Sequence, residues 1–416
     1  VDLPLLLVLG RVPPHRRYAV RVVYAKQDPP DSWQHAIFLA GPTPRDPMTP
    51  SWRPKALEIL DSLGYEGVVF VPEPADGEWR GSYTDQTEWE KMGLEMADKI
   101  VFWIPRDLRT MPALTTNIEY GRYVDTGKAV LGHPEGAPKM RYLDWLANDA
   151  TGFTNEGGWW NDLEGTLREA IRGWDDLPVR SGGERWVPAN IFTTPMFQSW
   201  YDALRRIGNR LDKAKVLWTF RLNGQVFSYV LWVDIWIASE GRHKANEWVF
   251  SRTDVVCVVL HWVPEGGALL DTKIVLVREF RSPAHTPDGF IHELPGGGAE
   301  GADNSAMERA CKEVYEETGI VMDQERMLFV GSRQAVGTIS THMVHVYGYK
   351  MTDVEIEQAR RIEESGEAHG EDGPDGEEQA YVEVKSIKEL MREEYVDWTT
   401  LGLVFRSILN AGFESD

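Results

Sequence analysis

Three short runs of unbroken apolar residues constrain this chain more than anything else in it: His35–Gly41 (HAIFLAG), Gly67–Pro72 (GVVFVP) and Lys99–Pro105 (KIVFWIP). Strands without polar alternation belong in a sheet covered on both faces. Helical spacing follows each run, over Pro54–Leu63, Gln86–Ala97 and Asn117–Thr126. A fourth strand is expected at Lys128–Gly132, and amphipathic stretches near 138–147 and 159–173. This alternation predicts an α/β domain built on a doubly wound parallel sheet. Ligands of such sheets bind beyond the carboxyl ends of the strands. The 41–45 loop, the 72–90 segment and the 105–119 segment should therefore surround one crevice.

Charge narrows what can fill that crevice. The 416 residues carry a net charge of −21 and a pI near 5.0, which argues against duplex nucleic acid or an anionic membrane as a partner. Small nucleoside and nucleotide substrates can still bind locally through a metal and a few arginines. Cys257 and Cys311 are the only cysteines, which implies no disulfide framework and suits a reducing cytoplasm. Leu3–Gly10 is apolar but too short for a membrane span, and reads as a strand or an ordered arm. Seventeen tryptophans, many of them between 145 and 262, suggest a large interdomain or dimer surface.

One carboxylate stands out on the crevice side. Thr115–Gly121 (TTNIEYG) places Glu119 in the first turn of a predicted helix, whose N-terminus would keep it ionised. An ionised, positioned carboxylate is what attack on a sugar anomeric carbon needs. A second carboxylate, from Asp85, Glu88 or Glu90, would act on the leaving base. Asp98, which opens a strand, reads as structural.

IFLAGP, Trp89-Glu90, FWIPR (Phe102–Arg106) and TTNIEYG followed by TGK resemble the nucleoside 2-deoxyribosyltransferases and their relatives, over roughly residues 35–147. The resemblance implies a flavodoxin-like sheet, with Glu119 as the nucleophile and Glu90 near a second acidic active-site position. Asn117 is taken with Arg45 as a substrate contact, Arg45 resembling in position the arginine with which nucleotide-cleaving relatives hold a 5′-phosphate. One departure is Phe38, where the family often has a tyrosine on the first strand.

The second half of the chain turns to β. Phe220–Ile237 reads as strands around an Asn223-Gly224 hairpin turn, followed by Trp248–Trp262 and Lys273–Phe280. Beyond them, Glu293–Gly298 (ELPGGG) turns a strand end into a glycine loop, which lets backbone groups approach a metal or phosphate closely. Glu313, Glu316 and Glu317 then fall at i, i+3 and i+4, so their carboxylates share one helix face and repel by a few tenths of a kcal/mol per pair. Hard oxygen ligands without His or Cys suit Mg²⁺ or Mn²⁺.

This stretch resembles the Nudix box, with Gly298, Glu313, Val314, Glu316, Glu317, Gly319 and Ile320 in register. Asn304 and Lys312 stand where the pattern has Glu and Arg, a pair that braces the loop against the helix. VREFRSP followed by ELPGG resembles the ADP-ribose pyrophosphatase branch. That resemblance implies an α/β/α Nudix fold, metal held by Glu313, Glu316, Glu317 and Gly297, with Glu313 also counted as catalytic, and Arg281 and Glu293 at substrate or metal. It also implies a late catalytic glutamate, for which Glu371, Glu377 and Glu378 are candidates, and a homodimer made through N-terminal strands of that domain.

These readings divide the chain into an N-terminal arm (1–34), a deoxyribosyltransferase-like domain (35–182), a connector (183–217) and a Nudix domain (218–416). They describe a bifunctional cytoplasmic enzyme of nucleotide metabolism that acts on an N-glycosidic bond and on a nucleoside diphosphate-X such as ADP-ribose. Two alternatives stay open: a dinucleotide glycohydrolase of NAD type coupled to ADP-ribose hydrolysis, and a nucleotide sensor with a non-catalytic Nudix domain.

Overall fold

The computed structural model describes residues 20–46, 48–79, 81–150, 158–222, 224–298, 305–370 and 378–413. The Leu3–Gly10 run, Asn223, Asn304, Glu371 and Glu377 lie outside them. The chain divides into two compact units, Val1–Trp248 and Val249–Asp416. No helix among the described residues is long and apolar enough to cross a membrane.

The first unit runs through β1 (Arg21–Tyr24), β2 (Ser32–Trp33), β3 (Ala36–Ala40), α1 (Arg53–Ser62), β4 (Val68–Val71), α2 (Tyr83–Met96), β5 (Lys99–Trp103), α3 (Leu114–Tyr123), β6 (Ala129–Gly132), α4 (Arg141–Ala150), β7 (Trp159–Trp160) and α5 (Leu163–Ala170). Then come β8 (Arg180–Ser181), α6 (Ala189–Phe192), α7 (Pro195–Arg206), and three long strands, β9 (Arg210–Leu222), β10 (Gln225–Ile237) and β11 (Arg242–Arg252), which pair in the order β11-β10-β9.

The main sheet has the order β1-β4-β3-β5-β6-β7, all pairs parallel. Without β1 this is the 2-1-3-4-5 order of a flavodoxin-like doubly wound sheet. The pleat explains the apolar runs: Ala36, Phe38 and Ala40 enter one core, and Ile37 and Leu39 the other. Local signals set the helices. Pro54 sits in the first turn of α1, and Ser82 and Asp85 form a capping box at the start of α2. At the far end of α2, the buried Lys128 ammonium donates to Leu94 O (2.7 Å) and Glu95 O (2.9 Å), the carbonyls that a helix end leaves open.

Two expectations are corrected here. Residues 20–34 are not an irregular arm, because RVVY adds a parallel strand to the edge of β4. The compact division falls after Trp248, not near Gly182. Gly183 looks like a linker residue in sequence, but a Cβ there would stand 2.1 Å from Leu211 O, so it is a close-packing glycine. Buried Asp98 closes this region onto the sheet. It accepts from Ala36 N–H (2.8 Å), Ala189 N–H (2.7 Å) and the buried Arg180 guanidinium (2.5 Å).

The second unit contains β12 (Val255–Trp262), β13 (Lys273–Phe280), β14 (Phe290–Glu293), β15 (Gly296–Gly298), α8 (Ala306–Thr318), β16 (Met327–Gln334), β17 (Met343–Lys350), α9 (Asp353–Ser365), β18 (Ala368–His369), β19 (Ala380–Ser386), α10 (Ile387–Leu390) and α11 (Trp398–Phe413). The expected Trp248–Trp262 strand is thus two, β11 and β12. Eight strands form one mixed sheet, ordered β16-β17-β12-β13-β19-β18, with β14 on β13 and β15 on β12. Val256, Val258 and Leu260 face a core shared with Ala310 and Val314 of α8, and Cys257 and Val259 face Val404 and Ile408 of α11. The unit is therefore an α/β/α layer structure.

The Asp98–Arg180 pair generates a stability prediction. Removing one partner of a buried ion pair leaves an uncompensated charge and costs about 3–5 kcal/mol. Asp98→Ala should lower the unfolding free energy of the first unit by that amount in urea; a loss under about 1 kcal/mol would show the pair to be dispensable.

Candidate active sites

A cavity of about 510 Å³ opens at the carboxyl ends of β3, β4 and β5, where the sequence placed a crevice. Phe38, Gly41, Arg45, Arg53, Gln86, Glu90 and Glu119 are among its lining residues. Asp85 and Glu88 are not. Asp85 is spent on the capping box, accepting from Ser82 N–H at 3.1 Å, and Glu88 is exposed, so Glu90 alone of the three candidates reaches the cavity.

The geometry of Glu119 differs from expectation. The helix begins at Leu114, behind the left-handed Ala113 (φ 57°), so Glu119 sits in the second turn, where the helix dipole weakens. Burial, helped by the neighbouring Glu90 charge and opposed by Arg53, pushes its carboxyl up to about 7. Burial also raises Glu90, against a hydrogen bond from Gln86 Nε2 (2.7 Å) and the charge of Arg53. The site therefore holds two carboxylates that resist ionising together.

Arg53 makes that pairing tolerable, and sequence reasoning missed it. Its guanidinium is buried, donating to Leu39 O (3.0 Å), Gly41 O (2.8 Å), Thr43 Oγ1 (3.2 Å) and Glu73 (2.5 Å). A cation in the first turn of a helix opposes the dipole, and that was the available signal. Gly41 (φ 147°) is required where these groups meet, since a Cβ there would lie 2.3 Å from Trp103 O.

Other expectations fare differently. Arg45 is exposed at the cavity lining. Asn117 is not brought to the cavity: its Oδ1 accepts from Arg106, whose guanidinium also donates to Lys139 O (2.9 Å). The Phe38 ring packs against Phe70 and Trp89, so no hydroxyl stands at that position. Among the described residues, the non-glycine positions with positive φ are Lys26, Ala113 and Lys139, and the first two line this cavity. Such backbone costs on the order of 1–3 kcal/mol each and tends to gather at functional sites.

In the second unit the glycine strand β15 meets two of the expected carboxylates of helix α8, Glu317 and Glu313. Glu317 accepts from Gly296 N–H (2.8 Å). Burial raises its carboxyl well above the ordinary range, and Glu313, Glu293 and Glu279 add to the effect. A Cβ on Gly297 would lie 2.4 Å from the Glu313 carboxyl carbon, so a larger residue there would push the carboxylate aside.

Of the Asn304–Lys312 pair, Asn304 lies outside the described residues. Arg309 donates to Gly298 O (3.3 Å) and pairs with Glu313 (3.2 Å), whereas Lys312 pairs with Glu316 (2.8 Å). Arg281, expected with Glu293 at substrate or metal, pairs with Glu293 (2.6 Å) and Glu279 (2.9 Å). Burial raises the Glu279 carboxyl against the Arg281 charge, and Glu293 and then Glu378 add to the rise.

An all-oxygen set that includes a buried, strongly raised Glu317 is the environment a hard divalent cation relieves, and the glycine cradle leaves room for close approach. The residues present thus fit Mg²⁺ or Mn²⁺. Among the described residues no three His, Cys, Asp or Glu side chains yet converge as a ligand group, since Glu313 and Glu316 are turned to their basic partners.

With both sites in view, residues 34–137 match the family model described as nucleoside 2-deoxyribosyltransferase like. That stretch contains Phe38, Arg45, Arg53, Glu90 and Glu119. No curated protein sequence matches the chain. A solved structure titled "Crystal structure of ADP compounds hydrolase" covers 50% of this chain and 95% of its own length at 12% identity, with a TM-score of 0.34, too loose a likeness to bear on activity.

The raised Glu119 carboxyl is directly measurable. Its difference infrared band, wild type minus Glu119→Gln, should titrate near pH 7, with the charged form growing as pH rises. A midpoint between 4 and 5 would contradict the desolvated pair.

Proposed function

We propose that the first unit cleaves or transfers at the N-glycosidic bond of a nucleoside or nucleotide through Glu119. The observation that carries this reading is the pair of half-buried carboxylates, Glu119 and Glu90, facing one cavity beside the buried cation of Arg53. Near neutral pH such a pair holds about one proton. The larger rise at Glu119 favours the proton there; in the less populated state, with the proton on Glu90 and the charge on Glu119, Glu119 bonds to C1′ as the C1′–N bond breaks. Glu90 gives its proton to the departing base. Water, or a nitrogen of a second base, then displaces Glu119 from C1′, and Glu90 takes the proton released. The family match over residues 34–137 supports the same chemistry.

For the second unit the proposal is hydrolysis of a nucleoside diphosphate linked to another group, ADP-ribose being the leading case. Glu317 on Gly296 N–H and the Glu313 carboxyl beside Gly297 support it, and Glu316 and the Gly297 backbone would join them in holding Mg²⁺. When bound, the metal would polarise the diphosphate and lower the pKa of the attacking water. Arg309 holds the loop to the helix, and Arg281 orients Glu293.

Substitution in each unit tests the two readings against one another. Glu119→Ala should abolish base release and spare Mg²⁺-dependent diphosphate hydrolysis. Glu317→Gln should lower the hydrolysis by about a hundredfold or more and spare base release. Base release at the wild-type rate by Glu119→Ala would remove the nucleophile assignment, and unchanged hydrolysis by Glu317→Gln the metal assignment.

The partner proposed is a second copy of the chain. Leu217, Trp218, Phe220 and Leu222 of β9 and Trp248 of β11 are exposed, an apolar group that a second copy would cover. Sedimentation equilibrium should give a dimer, and Trp218→Asp with Phe220→Asp a monomer; a monomeric wild type would count against this surface.

A further inference from the structure

The strand that precedes the matched family residues contributes to the first site. Just past its end, Lys26 adopts left-handed backbone (φ 68°) in a turn closed by Tyr24 N–H donating to Gln27 Oε1 and Gln27 N–H donating to Tyr24 O, both at 3.0 Å. Trp89 Nε1 donates to Gln27 O at 2.8 Å, which ties the turn to the helix carrying Glu90. The Lys26 ammonium donates to Ser82 O at 3.3 Å and lines the main cavity.

Beyond Lys26 lies a second hollow of about 300 Å³, lined in part by Tyr24, Gln27, Asp76 and Glu78. Lys26, Trp79 and Gln86 line both spaces, so they form the junction between them. The Gln86 amide nitrogen is committed to Glu90, while its Oε1 is buried without a partner. The two spaces differ in chemistry. The main cavity holds the carboxylate pair, the junction offers an ammonium, and the second hollow offers two aromatic faces with carboxylates.

We propose that the ligand of this site is larger than a nucleoside: a nucleoside joined through a phosphate or diphosphate link to a second ring-bearing group, with the link at Lys26 and the second group in the adjoining hollow. The inference rests on the assignment of the main cavity to a glycosidic bond. An ammonium at the junction is a charge-assisted donor to a phosphate oxygen. Tyr24 and Trp79 present faces to a flat ring. The Gln86 carbonyl, buried without a partner, presents an acceptor to its N–H groups.

Binding to Glu119→Gln, which cannot turn over, separates this inference from the catalytic one. Calorimetry with adenosine, adenosine 5′-monophosphate and diadenosine 5′,5″-diphosphate, repeated with the uracil series, should show affinity rising in that order, the dinucleotide at least tenfold above the nucleoside. Adding Lys26→Gly, which suits the left-handed backbone and removes only the side chain, should erase most of that preference. Lys26→Arg should keep it, and Trp79→Ala should reduce the step from monophosphate to dinucleotide. Equal or undetectable binding of all three ligands would overturn the inference, as would a Lys26→Gly variant that weakens all three by the same factor. Should the order of affinities hold while wild type releases no base, the glycosidic assignment fails and the extended subsite stands.

Discussion

The buried guanidinium of Arg53 joins the ends of the sheet to the chemistry above them. Its bonds to Leu39 O and Gly41 O take up carbonyls where β3 stops, and its pairing with Glu73 fixes the segment leaving β4. Its charge also acts on Glu90 and Glu119, which come from two different helices. Gathering desolvated carboxylates in one cavity is unfavourable unless a cation is buried with them. Because the cation is anchored to backbone, its position does not depend on the protonation of the groups it serves.

The second unit handles a similar excess of buried negative charge by other means. There the carboxylates stand on adjacent turns of one helix and on the strands facing it, and glycine backbone supplies the close approach. Arg309 and Lys312 pair with Glu313 and Glu316 along the helix, while Glu317 accepts from a backbone N–H and interacts with the Arg281 charge at longer range. The first unit sets one buried cation among its carboxylates; the second sets partly exposed cations along a helix and a strand end.

The sequence disclosed the sheets because their strands are continuous apolar runs, and both layered architectures follow from that pattern. Glu119, Glu90 and the Glu313–Glu317 face were visible for a similar reason, since local spacing sets them on helices beside strand ends. What stayed hidden depends on distant backbone. Arg53 reads as an ordinary surface arginine until the carbonyls of residues 39 and 41 are placed around it. Asn117, in a motif that invites a ligand role, is claimed by Arg106. Gly182-Gly183 has the composition of a linker, yet Gly183 packs on Leu211. The short RVVY strand, set among prolines, gains its meaning only from the open edge of β4.

Helix α2 is held along its length: by the Ser82–Asp85 capping box at its start, by Trp89 to Gln27 O in its middle, and by the Lys128 ammonium at its end. A rod pinned at three points has little freedom to tilt or slide, so Glu90 serves as a fixed wall of the cavity. The opposite rim is pinned as well, by Arg45 N–H to Thr110 O (2.9 Å), Trp52 Nε1 to Pro42 O (3.3 Å) and Arg53 to Gly41 O and Thr43 Oγ1. A cavity with both walls fixed sorts its ligands by fit and leaves little to closure around them.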